Sequence, residues 1–453
     1  MGYNATKRFK WIGSAAVVVS IVNIQKVDTV RCVATENLDS SRISSAATHP
    51  TQLSATHPTL DGRQVPLISA FLFHAGGNEN PQILLANANK SFQGSTVLGM
   101  GFTFDDTNPE TTPLAEMHRL IEQNPKNADL IFPYIGGEEV NSSPTHAHNR
   151  YVINFGEMSE AQAREYPDLM KIVEEKVKPE RDSLKRDVYR TRWWQFAEKR
   201  LALYKAIAKC ERVLVTNAQA STYLSFIFYS PKVVFANSLN IFHFETYSSF
   251  CILQSRIHEI FAGFFSSSMK DDIRYNPTDC FQPFPFPKNW ETNPQLEEKG
   301  KIYYEYRADL MVRNNQGLTD TYHRFHDPDE RHPDIIKLRQ LHQECDQAVL
   351  NAYGWTDIPT DCEFILDYEE EEEKSEGISK RQNKKPWRYK WPEEIHDEVL
   401  ARLVNLNLKR HQEEILGGKA AEGKAKGGKK TASKSRKKVS DKPPRILGFP
   451  DSL

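Results

Sequence analysis

The chain has 453 residues, of which 39% are hydrophobic and 26% charged, with 59 Lys+Arg against 60 Asp+Glu and a net charge of -1. That length holds two or three domains with a sizeable core, and the charge balance excludes a global basic field, so any nucleic-acid surface must be local. The six cysteines (Cys32, Cys210, Cys251, Cys280, Cys345, Cys362) have no Cys-x-x-Cys or metal spacing and read as reduced thiols of a cytoplasmic protein.

Lys7, Arg8 and Lys10 before the apolar run 15–22 imitate a secretory signal. The run is rich in Val and Ile and lacks a cleavage site, so it predicts one buried strand, too short to span a bilayer. Residues 35–62 are Ser/Thr/Ala/Pro-rich, with Ala-Thr-His-Pro-Thr at 47–51 and again at 55–59, and read as a linker. Apolar segments at 68–73 and 96–104 follow. A helix is predicted over 113–122, with Leu114, Met117, Leu120 and Ile121 on one face. Strands and turns are expected over 131–155, punctuated by Gly136-Gly137. The charged stretch 167–199 predicts helix, as does 201–208. Segments 212–216, 224–228 and 233–235 predict strands. Residues 246–265 predict one strongly apolar helix. Further helices are expected at 296–316, 333–353 and 393–415, with an acidic run at 369–373. After Gly417 the Lys/Gly/Ala/Ser-rich composition predicts disorder.

Few residues carry the pattern of a catalytic site. Gly99-Met100-Gly101 after an apolar run invites a methyl-donor site, but Phe-Thr-Phe follows where such a turn needs a helix, so close backbone packing is the better reading. Asp168, Glu174, Glu175 and Lys176 imitate a metal-dependent nuclease. On a helix, however, Asp168 and Glu174 lie about 600° apart and face away from each other. His146 and His148, and separately His323, His326 and His332, lack cysteine neighbours and a clear helix face; they read as loop histidines rather than metal ligands. In a DNA-facing loop, His146 and His148 would contact phosphates. Lys424, Lys426, Lys429, Lys430, Lys434, Arg436, Lys437 and Lys438 form a basic tail, either a salt-sensitive DNA anchor or a solubilising appendage. Trp387-Arg388-Tyr389-Lys390-Trp391 interleaves cations and aromatics, for stacking on nucleotides or docking on a helix. No catalytic, cofactor-binding or metal site is assigned.

One loop stands apart. Ser266-Ser267-Ser268-Met269-Lys270-Asp271-Asp272-Ile273-Arg274-Tyr275 places opposite charges before an Arg-Tyr pair, and Phe284-Pro285-Phe286-Pro287 closes the segment. From Phe71 to about Leu408 the chain resembles the C-terminal half of the MmeI-like restriction-modification enzymes. The resemblance rests on Ser91-Phe-Gln-Gly94, Leu98-Gly-Met-Gly-Phe102, Phe132-Pro-Tyr-Ile-Gly-Gly-Glu-Glu-Val-Asn141, Ser143-Pro-Thr-His-Ala-His148 and Arg150-Tyr-Val-Ile-Asn-Phe155. It continues in Trp193-Trp194, Phe250-Cys-Ile-Leu-Gln-Ser255, Arg274-Tyr275, Phe284-Pro-Phe-Pro287, Tyr353-Gly-Trp355 and Lys385-Pro-Trp-Arg-Tyr389. That family joins a nuclease, an adenine-N6 DNA methyltransferase and a TaqI-like target-recognition domain in one polypeptide.

The resemblance implies an α+β fold: a mixed-sheet target-recognition domain with helical inserts, a residual methyltransferase strand at the N-terminus and a helical C-terminal region. The implied organisation is a methyltransferase remnant at 1–34 and a low-complexity linker at 35–62. The end of the methyltransferase domain and a connector fill 63–125, and the recognition domain 126–290. The helical region is 291–415 and a basic disordered tail 416–453. The family's charged pair before Arg-Tyr maps onto Lys270 and Asp272, implying base readout. Arg274, Tyr275, His146, His148, Lys176, Lys178, Arg190 and Arg192 become candidates for backbone and loop contacts to double-stranded DNA.

The Asn/Asp-Pro-Pro-aromatic loop that holds a flipped adenine is missing. Asn-Pro occurs at 80, 108, 124, 276 and 293 without Pro-aromatic after it. The expectation is therefore a truncated or split bacterial enzyme. It would use S-adenosylmethionine only when the catalytic half is supplied by a separate subunit or upstream coding sequence, and it would have no membrane partner. The rival expectations are an intact methyltransferase using Gly99–Gly101 and a non-functional relic.

Overall fold

A computed structural model of the chain describes residues 2–10, 18–25, 58–60, 63–65, 68, 80–219, 221–269, 272–366 and 387–426. The chain forms two units, Met1–Pro81 with Glu393–Leu408, and Gln82–Pro392 with Lys409–Leu453.

In the first unit, strands β1 (Gly2–Lys10) and β2 (Val18–Gln25) pair antiparallel, with an irregularity between Thr6 and Phe9. Strand β3 (Thr59–Leu60) runs parallel to β1, and β4 (Arg63–Gln64) completes the order β2-β1-β3-β4. The single strand expected here is thus one arm of a hairpin. The other arm was hidden because Lys7, Arg8 and Lys10 interrupt its apolar pattern.

The second unit holds two four-stranded sheets. One contains β5 (Ser91–Gln93), β9 (Val213–Asn217), β10 (Ile227–Tyr229) and β12 (Leu239–Phe242) in the order β10-β9-β12-β5, all antiparallel. The other contains β6 (Thr103–Phe104), β7 (Ile131–Ile135), β8 (Arg150–Ile153) and β11 (Val234–Phe235) in the order β11-β7-β8-β6. It is mixed, because β11 runs parallel to β7. Two hairpins complete the strands: β13 (Ser267–Met269) with β14 (Asp272–Arg274), and β15 (Glu363–Leu366) with β16 (Trp387–Lys390). The architecture is the mixed α+β arrangement read from the sequence. Strand β12 carries no alternating signal in the sequence because Leu239, Asn240, Ile241 and Phe242 are all buried.

The helices are α1 (Leu114–Gln123), α2 (Gly137–Ser142), α3 (Glu160–Ala163), α4 (Pro167–Lys176), α5 (Lys178–Asp182), α6 (Asp187–Thr191) and α7 (Leu201–Ile207). They continue with α8 (Tyr247–Gln254), α9 (Arg256–Phe265), α10 (Pro277–Cys280), α11 (Pro294–Asn314), α12 (Leu318–His326), α13 (Pro333–Tyr353) and α14 (Glu393–Lys426), the last crossing from the first unit into the second. The charged stretch expected as one helix over 167–199 is α4, α5 and α6. Beyond them Trp193, Trp194 and Phe196 join a core with Phe102, Leu169, Val173 and Val177, which a continuous helix would not allow.

The apolar helix expected over 246–265 is broken at Ser255, whose ψ is 156°. The Arg256 N–H, the first of α9, donates to Asp346 Oδ1 on α13 at 2.9 Å, so the orphan amide created by the break is satisfied. The segment carrying His323 and His326, expected as loop, is helix α12. Its buried positions Leu318, Thr321, Tyr322, Phe325 and His326 have helical spacing, but Thr and His occupy apolar places. The final helix runs past the expected end at 415 to Lys426. The acidic run 369–373, most of the linker 35–62 and residues 427–453 of the tail lie outside the described residues. No helix among the described residues is long and apolar enough to cross a membrane.

Candidate nucleic-acid interface

The Lys270–Arg274 segment is built on the β13–β14 hairpin. Its register pairs Ser267 with Arg274, Ser268 with Ile273 and Met269 with Asp272. Lys270 lies outside the described residues, as does residue 271; Asp272 opens β14, and its side chain is likewise not described. Arg274 ends β14 and is exposed.

Strands of three residues are too short to fix themselves, so the hairpin depends on its base. Ile273 exchanges both backbone hydrogen bonds with Ser221 at 3.1 Å, placing a second neighbour beside β14. Immediately after β14, Tyr275 turns inward and is only 2% exposed. Its Oη and Nε2 of buried His258 share a hydrogen bond of 2.8 Å. Its carbonyl accepts from Asn240 Nδ2 on β12 at 2.9 Å. Its ring meets Phe226 and Phe242 edge-on at 5.9 Å. Burial raises the Tyr275 hydroxyl well above its ordinary pKa and pushes His258 down to about 3, so both groups are neutral. This corrects the expectation for Tyr275, whose side chain supports the hairpin from within and is not presented to a ligand. The Pro/Phe segment that follows continues the same core, with Phe284 4.5 Å from His258 and Phe286 5.1 Å from Phe284.

Of the histidines expected to meet phosphates, His146 is turned into the protein and His148 is half-buried. His146 has a left-handed φ of 55°. Its Nδ1–H donates to the Val140 carbonyl at 2.8 Å. Burial, with the Arg307 cation, pushes it down to about 4, so it is uncharged at neutral pH. Burial also lowers His148, which lies edge-on to Tyr151 at 5.3 Å. Both line a cleft of about 550 Å³ with Tyr229, Lys232, Tyr304 and Val312.

Besides Arg274 on the hairpin, the other four expected phosphate-binding cations belong to α4–α6 or the turn after them. Lys176 donates to the Thr111 carbonyl at 2.6 Å. Lys178 pairs with Glu174 at 3.1 Å and lies 5.0 Å from the Trp193 ring centre. Arg190 donates to the Leu184 carbonyl at 2.9 Å and pairs with Asp187. Arg192 is exposed at the end of α6.

The nuclease-like cluster does not converge. Asp168 accepts from Asn127 at 3.1 Å, whereas Glu174 pairs with Arg164 and Lys178. Of the second histidine group, His326 is stacked 4.9 Å from Tyr223 and accepts from the Tyr389 N–H at 3.0 Å, while His332 caps α13. The aromatic-basic segment is strand β16 and the residue after it, with Trp391 buried and its indole donating to the Thr360 carbonyl at 3.3 Å.

Gly99–Gly101 forms a 3-10 turn before β6 rather than a turn opening a helix. A Cβ on Gly101 would lie 2.4 Å from Lys176 Cβ and 2.9 Å from Val177 Cγ2, so this glycine packs closely against the end of α4. Arg181, which sequence reading overlooked, is fully buried and clamps this turn by donating to the Leu98 and Val97 carbonyls at 2.8 Å. Nothing local in the sequence distinguishes Arg181 from its exposed neighbours, and nothing local marks Asn240 or His258 within their buried surroundings.

Residues 79–288 match the family model described as the MmeI target recognition domain. The span takes in both four-stranded sheets of the second unit and the β13–β14 hairpin. It is an MmeI-type target recognition domain. Among solved structures, the chain is similar to the Type IIL restriction-modification enzyme MmeI in complex with DNA, with a TM-score of 0.52 and 15% identity. The match covers 90% of this chain and 46% of that one, so the chain spans about half the length of that enzyme and shares its fold. No curated protein sequence matches. In this chain the MmeI-type domain carries its Arg274-Tyr275 pair at the junction between an exposed strand end and a buried anchor.

Proposed function

We propose that this chain reads a specific double-stranded DNA sequence for a type IIL restriction-modification system, selecting the site at which an adenine-N6 methyltransferase acts. The observation that carries the proposal is the target-recognition match over residues 79–288, with the hairpin inside it. In this reading Lys270 donates to guanine O6 and N7 while Asp272 accepts from cytosine N4, so the pair selects one G·C base pair in the major groove. Arg274, exposed at the end of β14, contacts phosphate and sets register without specifying sequence.

Methyl transfer in this reading belongs to a catalytic half, encoded separately or upstream, that binds S-adenosylmethionine. The close packing at Gly101 supports assigning donor binding elsewhere. The setting is a bacterial cytoplasm. Selection from a random duplex pool at moderate salt, followed by anisotropy titration of the enriched sequence, tests the proposal. Enrichment of one motif is expected, with each substituted pair weakening binding by roughly 1–3 kcal/mol. Binding that depends only on salt and duplex length would overturn it.

A further inference from the structure

We propose that His258 and Tyr275 are positioning residues for base readout: their hydrogen bond closes the base of the β13–β14 hairpin and sets the reach of Lys270 and Asp272. The inference rests on the DNA-recognition reading and extends it from the residues that touch bases to those that aim them.

Helix α9 ends at Phe265 and β13 begins at Ser267, so α9 is the incoming arm of the hairpin. Tyr275 directly follows β14 and is the outgoing arm. The 2.8 Å bond between His258 and Tyr275 therefore joins the two arms below the hairpin. His258 is completely buried and Tyr275 nearly so, which shields the bond from competing water. Asn240 holds the Tyr275 carbonyl from β12 at 2.9 Å, so the joined arms are also fixed to the central sheet. A further backbone tie, Ser221 to Ile273 at 3.1 Å, holds β14 alone, whereas the His258–Tyr275 bond adds a directional side-chain tie between the arms to the β13–β14 ladder.

Two features separate this bond from ordinary core packing. Its partners lie on opposite sides of the segment that carries the charged pair. It also supplies directional restraint where the hairpin itself has only three paired positions. A readout group must be held within about 0.5 Å of its productive position to discriminate between bases. A short hairpin pivoting on an unbonded base would lose that precision while keeping its charges near the phosphates.

The test uses the full chain and Tyr275→Phe, which keeps the ring and its contacts with Phe226 and Phe242 and removes only the hydroxyl. His258→Gln, which retains a group able to bond that hydroxyl, is the conservative partner. The first readout is amide hydrogen exchange. Exchange at 267–269 and 272–274 should accelerate by about 10-fold in Y275F, the equivalent of one lost hydrogen bond, with β9 and β12 unchanged. H258Q should lie between Y275F and the parent. Unchanged hairpin exchange, or acceleration spread evenly over the domain, would overturn the proposal whether or not the chain reads DNA.

The second readout is discrimination between the selected duplex and one altered at the pair assigned to Lys270 and Asp272. Y275F should lower that ratio by about 10-fold while non-specific affinity at the same salt changes less than 2-fold. Equal loss of specific and non-specific binding would reduce the bond to a structural role and overturn the proposal. Absence of any sequence preference in the parent chain would instead overturn the recognition reading, leaving the hairpin restraint to be decided by the exchange data.

Discussion

Asp346 holds Arg256 twice: Oδ2 accepts from the guanidinium at 2.6 Å and Oδ1 from the backbone N–H at 2.9 Å. Neither side chain is more than 3% exposed. The pair fastens the first turn of α9, the helix that leads into the hairpin, to α13. Rigidity at one end of α9 and the His258–Tyr275 bond further along it together give the hairpin a fixed platform.

Asp346→Asn keeps the shape of the side chain but leaves the Arg256 charge buried without a counter-ion. Removing one partner of such a pair costs about 3–5 kcal/mol. Urea unfolding at neutral pH should show a loss of that order. A change within about 0.5 kcal/mol, as expected for an exposed substitution, would mean that the pair does not anchor α9.

Gly101→Ala forces a methyl group to within 2.4 Å of the Lys176 Cβ. Overpacking of this kind costs about 1–3 kcal/mol, and thermal unfolding should report it. Equilibrium dialysis with labelled S-adenosylmethionine should show no saturable binding by the parent chain. Saturable binding that G101A abolishes would restore the intact-methyltransferase reading.

Acid stability should depend on His146. Its folded pKa of about 4 lies below the ordinary 6.5, so between those values the unfolded chain binds more protons. Its contribution is complete above pH 6.5 and is lost as pH falls toward 4, by up to about 3 kcal/mol. His146→Asn tolerates the left-handed backbone and should flatten this part of the stability profile, measured by denaturant titration at pH 7 and pH 4.5. Parallel profiles for parent and variant would contradict the assignment.

Much of the recognition domain was legible because its markers are local. Leu114, Met117 and Leu120 show the periodicity of α1, and Val213, Leu214 and Val215 show the apolar run of β9. What was hidden depends on contacts between distant segments. The break at Ser255 needs Asp346, which lies on α13. The inward turn of Tyr275 needs His258 and Asn240, polar residues that only tertiary structure brings together. Helix α12 was hidden by His326 in an apolar position, where it is stacked on Tyr223. The hairpin was legible as a charged loop, but its anchoring was not: nothing in Arg274-Tyr275 says that one side chain faces out and the next faces in.

The most direct measurement compares the DNA motif selected from a random duplex pool by the parent chain with that selected by the charge-swapped K270D/D272K chain. Both chains should enrich a motif, with preference changed at one base pair and flanking positions retained. Enrichment of the same motif by both chains, or of none by the parent, would contradict this expectation.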